Sequence, residues 1–256
     1  MGKIIAVANQ KGGVGKTTTQ INLAACVASA GRRVLSVDMD PQGNSTSGLG
    51  ISPEQGKCIY DVLAGDAAAK DCVVATPVEG LWLLPADMRL AAAEVELVGQ
   101  EQREYVLREA LSPLRGEYDY IFIDCPPSLG LLTLNALCAA DRVLVPIQCE
   151  YYALEGVGQL MNTVQRVQRG LNPKLAVEGV VLTMLDGRTN LGLQVVEEVK
   201  RHFRSQVYST IIPRNVRLSE APSHGLPIHL YDARSMGAEA YADLAAEFIR
   251  RSEGGA

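Results

Sequence analysis

The sequence lacks the features of a membrane, secreted or repeat protein. No stretch approaches 18 uninterrupted apolar residues, the length that a membrane-spanning helix needs. It has no internal repeat, low-complexity tract or long linker. We expect no N-terminal signal peptide, because the apolar run before Lys11 is too short for one. These absences favour a soluble, cytoplasmic protein whose 256 residues form a single domain, 1-256.

The cysteines and histidines show no ligand-like spacing. The six cysteines form no C-x-x-C pair, and several lie in apolar stretches, where a reduced thiol behaves as a small hydrophobic side chain. A reducing compartment is the simple interpretation. The residues concerned are Cys26, Cys58, Cys72, Cys125, Cys138 and Cys149, together with His202, His224 and His229.

The chain also lacks a positive net charge. At a net charge of −5, it has no global attraction to DNA or to anionic lipid, so any such binding must come from a local patch. From Asp186 to Arg217, six Lys or Arg residues stand against three Asp or Glu residues, a local balance of +3. We predict that a polyanion binds in this segment.

Strand-like runs alternate with helix-like segments along the chain. Several runs are apolar on both faces, as is typical of parallel strands that are covered by helices. The pattern predicts an α/β fold: a single-domain, doubly wound, mostly parallel sheet with helices on both faces and ligands at the carboxyl ends of the strands. The predicted strands are Lys3–Ala8, Arg33–Asp38, Leu81–Leu84, Tyr120–Asp124, Arg142–Gln148, Gly179–Met184 and Val207–Ile212.

The predicted helices are longer than the predicted strands and differ from them in composition. They are Thr18–Ala30, Met88–Leu111, Leu131–Ala139, Leu154–Gln168, Leu191–Phe203 and Ser235–Arg250. We expect the segments Pro41–Lys70 and Arg214–Ala233 to be irregular, and Ser252–Ala256 to be a frayed tail.

Residues 11 to 17 read Lys-Gly-Gly-Val-Gly-Lys-Thr, a phosphate-binding loop with one lysine more than usual. In the pattern G-x-x-x-x-G-K-[ST], backbone N–H groups cradle phosphates, the lysine reaches the β- and γ-phosphates, and the hydroxyl binds Mg²⁺. Gly15, Lys16 and Thr17 fill the last three places, while Gln10 replaces the first glycine. A strand before the loop and a helix after it place the anion at a helix N-terminus. Because Lys16 already serves the phosphates, Lys11 has no obvious role within one chain.

Carboxylates end two of the predicted strands. Asp38 and Asp40 lie at the carboxyl edge of the sheet, on one side of the chain if the two-residue period persists to residue 40. The apolar strand that ends in Asp124 is typical of a Walker B element, which holds Mg²⁺ directly or through water. We predict a metal site formed by Thr17, Asp38 and Asp124, and we predict that Asp40 orients the attacking water.

Five segments together resemble the ParA/Soj group of chromosome- and plasmid-partitioning ATPases. This group lies within the deviant-Walker-A family of P-loop proteins that also holds MinD and the nitrogenase iron protein. The resemblance runs from Lys3 to about Phe248. The segments that carry it are Lys11–Thr17, Asp38–Asn44, Ile123–Ser128, Pro146–Gly156 and Pro213–Ser223.

The resemblance implies a homodimer that forms on ATP. Two subunits would sandwich the nucleotide, with Lys11 reaching the partner's phosphates like an arginine finger supplied in trans. Gly12 would lie where the two backbones approach, so that a side chain there blocks dimerisation. The implied catalytic residues are Lys11, Lys16 and Asp40, and the implied nucleotide-binding residues are Lys11, Gly12, Gly13, Gly15, Lys16, Thr17, Thr18, Pro41, Pro213 and Asn215.

The resemblance also implies partners. ParA-like dimers bind double-stranded DNA without sequence preference, and the DNA-facing arginines of the family match Arg188 and Arg217, both inside the +3 segment. A ParB/Spo0J-like protein would stimulate slow hydrolysis of ATP and so reset the dimer. The protein would then be cytoplasmic and nucleoid-associated.

Three other functions remain open from the sequence. A MinD-like membrane-associated ATPase needs a basic amphipathic C-terminal helix, whereas residues 240–251 are alanine-rich with one basic pair, so no membrane is expected as a partner. A redox protein needs cysteines from two subunits to hold a cluster. A metabolic P-loop enzyme needs a substrate pocket, to which Pro41–Lys70 would contribute.

Overall fold

The computed structural model describes residues 2–54, 57–150, 153–188 and 190–254, with the backbone alone at 153–156. Its strands form one eight-stranded sheet in the order β3-β4-β2-β5-β1-β6-β7-β8. The strands β1 to β8 are Lys3–Val7, Val34–Asp38, Val74–Ala75, Leu81–Leu84, Tyr120–Asp124, Arg142–Gln148, Ala176–Leu185 and Val207–Pro213.

Every strand pair in this sheet is parallel except β3 with β4. The central strands β2 and β5 are buried along their whole length, which explains why their sequences are apolar on both faces. The mostly parallel sheet predicted from the sequence is therefore confirmed.

Helices cover both faces of the sheet. Helices α1, α11 and α12 pack on one face, and helices α3 and α5 to α9 pack on the other. Each face has its own hydrophobic core, which is the layered arrangement of a doubly wound fold. The helices α1 to α12 are Lys16–Ser29, Asn44–Gly48, Ile59–Ala64, Ala69–Cys72, Leu90–Glu96, Val106–Leu111, Leu131–Ala139, Ala153–Gly170, Asn190–Phe203, Val216–Glu220, Ile228–Tyr231 and Met236–Glu253.

The long helix predicted over Met88–Leu111 is wrong, because the chain forms α5, a 3₁₀ turn and α6 instead. Asn135 of α7 binds the backbone where α6 begins: its amide donates to the oxygen of Arg103 at 2.8 Å and its Oδ1 accepts from the N–H of Leu107 at 3.1 Å. A contact from a distant helix thus overrides the local helix propensity.

The two segments predicted to be irregular contain short helices, so that prediction is wrong in part. In the first segment, α3 begins after Cys58, whose N–H donates to Asp61 Oδ2 at 3.0 Å. In the second, α10 begins after Asn215, whose Oδ1 accepts from the N–H of Arg217 at 2.8 Å. Such helices depend on caps and on packing, and they are too short for a periodic pattern.

The C-terminal end of the chain differs from the prediction as well. Helix α12 continues to Glu253, where the carboxylate of Glu253 accepts two hydrogen bonds of 2.8 Å from Arg32, so residues 252 and 253 are not a frayed tail. Residues 255 and 256 of that predicted tail lie outside the described residues, as do residues 151 and 152 of the motif at 146–156 and residue 189 beside Arg188.

Candidate nucleotide site

The glycine loop connects the end of β1 to the start of α1, as the sequence predicts. Gly13 and Gly15 have φ angles of 72° and 86°, in the left-handed region that favours glycine. The N–H of Thr19 bonds to the oxygen of Gly15 at 2.9 Å and closes the first turn of α1. Earlier N–H groups of this helix have no partner within the helix and are available to an anion.

Two residues that the sequence interpretation missed hold this loop in place. The amide of Asn9 donates to the oxygen of Pro146 in β6 at 2.7 Å, and its Oδ1 accepts from the N–H of Lys11 at 3.1 Å. From β7, the hydroxyl of Thr183 donates to the oxygen of Val14 at 2.8 Å. Thr183 interrupts the apolar run that was predicted as a strand at Gly179–Met184, which was the one available signal, whereas nothing local distinguishes Asn9.

The two lysines of the loop differ in environment. Lys16 is buried, and burial lowers the pKa of its ammonium group, while Asp124, Cys125 and Asp40 oppose that shift. Its Nζ donates to the main-chain oxygen of Lys11 at 3.2 Å. The side chain of Lys11 makes no hydrogen bond or ion pair with any described residue. Lys16 therefore binds within its own loop, whereas the side chain of Lys11 has no such partner among the described residues.

Asp38 and Asp124 end two neighbouring strands and are partners in the β2–β5 register. Both carboxyl groups are fully buried. Burial raises the pKa of each above its ordinary value, and the charge of the other carboxylate adds to this effect at Asp124. Hydroxyl groups of Thr46, Ser45 and Thr17 act in the opposite direction. The paired carboxylates thus form a site that favours a bound cation.

The one carboxylate oxygen of this pair that lacks a partner among the described residues belongs to Asp124. Asp38 Oδ1 accepts from the N–H of Asp40 at 3.1 Å, and Asp38 Oδ2 accepts from the N–H and hydroxyl of Thr46 at 2.9 and 2.7 Å. Asp124 Oδ2 accepts from Ser45 at 2.7 Å, while its Oδ1 is buried without a partner among the described residues. This geometry favours Asp124 as the metal ligand and Asp38 as the anchor of the loop after β2.

The donor set fits magnesium rather than a protein-only metal cage. Among the described residues, no group of three His, Cys, Asp or Glu side chains is arranged to hold a metal ion. Magnesium usually takes one or two carboxylates and completes its shell with waters and phosphate oxygens. The orphaned Oδ1 of Asp124 near Thr17 matches that requirement.

Asp40 lies beside this pair but outside the strand. It is buried, it is close enough to Lys16 to influence its pKa, and its Oδ1 accepts from the N–H of Gln42 at 3.0 Å. Strand β2 ends at Asp38, so the two-residue period does not extend to Asp40. The loop nevertheless brings Asp40 close to the lysine, as an assistant to phosphate chemistry requires.

A cavity of about 410 Å³ adjoins the loop. Gly15, Thr18, Pro213 and Asn215 are among the residues that line it. Pro41 is not among the described residues that line this cavity. Gly12 and Gly13 of the predicted loop are exposed.

The arginines predicted to face DNA follow two adjacent strand ends. Leu185 of β7 and Pro213 of β8 are register partners, and the N–H of Arg214 bonds to the oxygen of Leu185 at 3.0 Å. Arg188 and Arg217 lie a few residues beyond these positions. Met184 lies shortly before Arg188 in the sequence, and Asn215 shortly before Arg217. Both Met184 and Asn215 line the cavity.

Both arginines that are predicted to face DNA are ion-paired in the structure. The side chain of Arg188 is 88% exposed but pairs with Asp186 at 2.7 Å. Arg217, which lies in α10 rather than in a loop, pairs with Glu220 at 2.8 Å and with Asp232 at 3.5 Å. A polyanion must compete with these carboxylates, although exposed pairs of this kind are weak.

Comparison with known proteins decides the family. Residues 2–177 match the model of the family described as an AAA domain. The chain is 64% identical over 248 residues to the sporulation initiation inhibitor protein Soj of Bacillus subtilis, covering 96% of this chain and 98% of that protein. It is 58% identical to the chromosome partitioning protein ParA of Myxococcus xanthus, covering 98% and 89%. The chain belongs to the Soj/ParA family of chromosome-partitioning ATPases.

Solved structures agree with this assignment of the fold. The chain is 41% identical, with a TM-score of 0.88, to a Mycobacterium smegmatis protein described as cobyrinic acid a,c-diamide synthase with bound ATP analog and magnesium, covering 100% of this chain and 98% of that one. It is 28% identical to the cell division ATPase MinD of Pyrococcus furiosus, with a TM-score of 0.81 and coverage of 98% and 99%. None of the described helices of this Soj/ParA chain is both long and apolar enough to cross a membrane.

Proposed function

We propose that this Soj/ParA chain is a single-domain, magnesium-dependent ATPase that dimerises on ATP and binds DNA as a dimer. The observation that carries the proposal is the contrast between the two loop lysines. Lys16 is buried in its own loop, while the side chain of Lys11 has no partner among the described residues. A cation kept free beside a phosphate loop has a use when a second subunit brings another nucleotide to it.

We expect the nucleotide to bind with its phosphates at the glycine loop. Its phosphates would bind the N–H groups of the glycine loop and the ammonium group of Lys16. Its ribose and base would enter the cavity toward Pro213 and Asn215. Thr17 and Asp124 would hold magnesium, which neutralises charge on the β- and γ-phosphates when bound. The Mycobacterium smegmatis relative with bound ATP analog and magnesium supports this placement.

In the proposed reaction, water attacks the γ-phosphate and releases ADP and phosphate. Asp40 orients the water, because it is the carboxylate near Lys16 that lies in the loop after β2 rather than in a strand. Lys11 of the partner subunit stabilises the charge that develops on the transferred phosphoryl group, as an arginine finger does in other P-loop proteins. Hydrolysis would be slow until a ParB/Spo0J-like protein stimulates it.

DNA binding would use Arg188 and Arg217 of both subunits. These contacts are to phosphates, so they carry no sequence preference and weaken as the salt concentration rises. Two subunits double the number of contacts, which makes DNA binding depend on ATP. The protein would accordingly be cytoplasmic and associated with the nucleoid.

One experiment tests the proposal as a whole. Retention on random-sequence DNA and on anionic liposomes is measured with ATP and with ADP at moderate salt. We expect retention on DNA with ATP only. Retention on liposomes would instead support a MinD-like membrane function, and nucleotide-independent retention on DNA would contradict the proposed switch.

A second candidate function comes from the Mycobacterium smegmatis relative, which is described as a cobyrinic acid a,c-diamide synthase. Its 41% identity is lower than the 64% and 58% identity to the partitioning proteins. ATP-dependent formation of a diamide from cobyrinic acid and an ammonia donor, followed by mass spectrometry, would support this second function. We expect no product.

A further inference from the structure

Helix α2 carries two hydroxyl groups that reach the two buried carboxylates. Ser45 donates to Asp124 Oδ2 at 2.7 Å, and Thr46 donates to Asp38 Oδ2 at the same distance. Ser45 and Thr46 are themselves buried. A helix of only five residues thus anchors the ends of both β2 and β5.

The hydroxyl of Ser45 has a second neighbour, the side-chain amide of Gln20. Ser45 Oγ lies 3.1 Å from the amide oxygen position of Gln20, and the other end of that amide contacts Ser36 Oγ. A serine hydroxyl has one hydrogen, and an ionised carboxylate can only accept. When Asp124 is ionised, Ser45 must donate to it and has no hydrogen left for Gln20.

The conflict disappears when the oxygen and nitrogen of the Gln20 amide exchange places. The two ends of an amide are assigned from their hydrogen-bonding partners, because they are nearly indistinguishable otherwise. In the exchanged orientation Ser36 donates to Gln20, the Gln20 amide nitrogen donates to Ser45, and Ser45 donates to Asp124. Each of the three contacts then joins one donor to one acceptor, as buried polar groups require.

We propose that Ser36, Gln20 and Ser45 form a buried positioning chain that orients Asp124 and leaves its Oδ1 for the metal. The proposal rests on the proposed function, in which Asp124 is a magnesium ligand. Groups that hydrogen-bond to a metal ligand fix its orientation, and losing one typically weakens metal binding by 10- to 100-fold.

The position of Gln20 ties this chain to the phosphate site. Gln20 lies one turn after Lys16 and Thr17 on the same helix, so α1 presents the phosphate-binding groups and the amide that orients Asp124 as one rigid body. Neither Gln20 nor Ser45 has a place in the phosphate loop itself. They are positioning residues, whose effect on the metal passes through Asp124.

The test measures metal affinity, with Mn²⁺ as the probe and ADP present. The concentration of free Mn²⁺ is followed by electron paramagnetic resonance in the wild type, Ser45→Ala, Gln20→Met and the double variant. We expect Ser45→Ala to weaken Mn²⁺ binding about 10-fold, with ADP affinity in the absence of metal unchanged. We expect Gln20→Met to have a smaller effect in the same direction. Because the groups act in series, the double variant should bind Mn²⁺ as Ser45→Ala does.

Two controls separate positioning from general destabilisation. Ser45→Thr keeps the hydroxyl and should restore Mn²⁺ affinity. Ser235→Ala removes another buried hydroxyl, the N-cap of α12, and should lower thermal stability without changing Mn²⁺ affinity. If Ser45→Ala does not fold, the comparison of Gln20→Met with the wild type decides.

Three results would overturn the proposal. The first is unchanged Mn²⁺ affinity in Ser45→Ala, or in Gln20→Met if Ser45→Ala does not fold. This result would contradict the positioning chain and leave the proposed ATPase intact. Additive effects of the two changes would show that Gln20 and Ser45 act independently. A wild-type protein that binds neither Mn²⁺ nor ADP would overturn the proposed function together with the chain.

Discussion

The ammonium group of Lys16 donates a hydrogen bond to the main-chain oxygen of Lys11 across 3.2 Å. One lysine of the loop therefore binds the backbone of the other. An incoming phosphate offers Lys16 a charged acceptor in place of this neutral one, and charge-assisted hydrogen bonds are stronger. The side chain of Lys11, by contrast, makes no hydrogen bond or ion pair with any residue that the structure describes.

Replacing Lys16 should abolish nucleotide binding. Lys16→Ala removes the buried cation that faces the phosphates, so we expect a loss of ATP affinity of at least 100-fold, equivalent to about 3 kcal/mol. Titration calorimetry with ATP and magnesium measures it. Lys57→Ala, which removes an exposed lysine paired with Glu54, is the control and should bind as the wild type does. Retained ATP affinity in Lys16→Ala would refute the loop assignment.

A side chain at Gly12 should block dimerisation without disturbing the fold. A Cβ at this position meets no atom within 4 Å in its own chain. We expect Gly12→Val to keep the thermal stability and monomeric ATP affinity of the wild type but to lose the ATP-dependent dimer in analytical ultracentrifugation. Lys11→Ala tests the same interface by removing the positive charge of Lys11. A Gly12→Val protein that still dimerises would show that the two backbones do not meet here.

Replacing Asp40 should separate ATP binding from hydrolysis. Asp40→Ala removes the carboxylate that orients water while leaving the loop and Asp124 in place, so ATP should bind and the dimer should form. We expect turnover to fall by about 100-fold or more, which is the range of effects for a general base. The dimer should then persist on a sizing column in ATP. Unchanged turnover would remove Asp40 from this role.

Charge reversal at Arg188 and Arg217 should abolish DNA binding. The double change to Glu replaces two phosphate-binding cations in each subunit, and we expect ATP-dependent dimerisation to survive it. Filter binding at several salt concentrations measures the effect. The control is Lys57→Glu with Lys70→Glu, which changes the net charge equally and should still bind. If DNA binding survives the arginine changes at moderate salt, the DNA-binding surface lies elsewhere.

The buried carboxylate of Glu247 should make the protein less stable in acid. Burial acts to raise the pKa of Glu247, but hydrogen bonds from Ser209 and Thr210 and the charge of Arg251 outweigh it, so the pKa lies below its ordinary value of 4.5. A lowered pKa in the folded state means that this stabilisation is present above pH 4.5 and is lost as the pH falls through the folded-state value.

Glu247→Gln should therefore cost about 1 to 3 kcal/mol of unfolding free energy at pH 7 and progressively less below the ordinary pKa of 4.5. Urea denaturation at a series of pH values measures this. Glu239→Gln on the same helix is the control, because that side chain is exposed. An equal cost at every pH would show that the ionised form of Glu247 is not the stabilising one.

The sequence was sufficient for the central strands and the phosphate loop, because both leave local patterns. Strands such as β2 and β5 are buried on both faces and are therefore apolar throughout. The glycine loop needs left-handed residues at Gly13 and Gly15, and these stand in the sequence. Strand β3 has two residues and no pattern that sequence reasoning can detect.

The contacts that complete the site leave no local pattern. Ser45 and Asp124 are 79 positions apart in the chain, and Thr183 and Val14 are 169 apart. Ser45 lies in a segment of small polar residues, which predicts a loop. Only the fold brings its hydroxyl to the carboxylate of Asp124. Long-range hydrogen bonds of this kind decide which carboxylate oxygen is free, and they become visible only in three dimensions.

The joined ends of β7 and β8 place the walls of the nucleotide cavity within a few residues of Arg188 and Arg217. If a nucleotide in that cavity raises the affinity for DNA by some factor, then thermodynamic linkage requires DNA to raise the affinity for that nucleotide by the same factor. The nucleic acid would then act as an effector that keeps ATP in the dimer. A dimer on DNA would then bind ATP more tightly than the same dimer away from DNA.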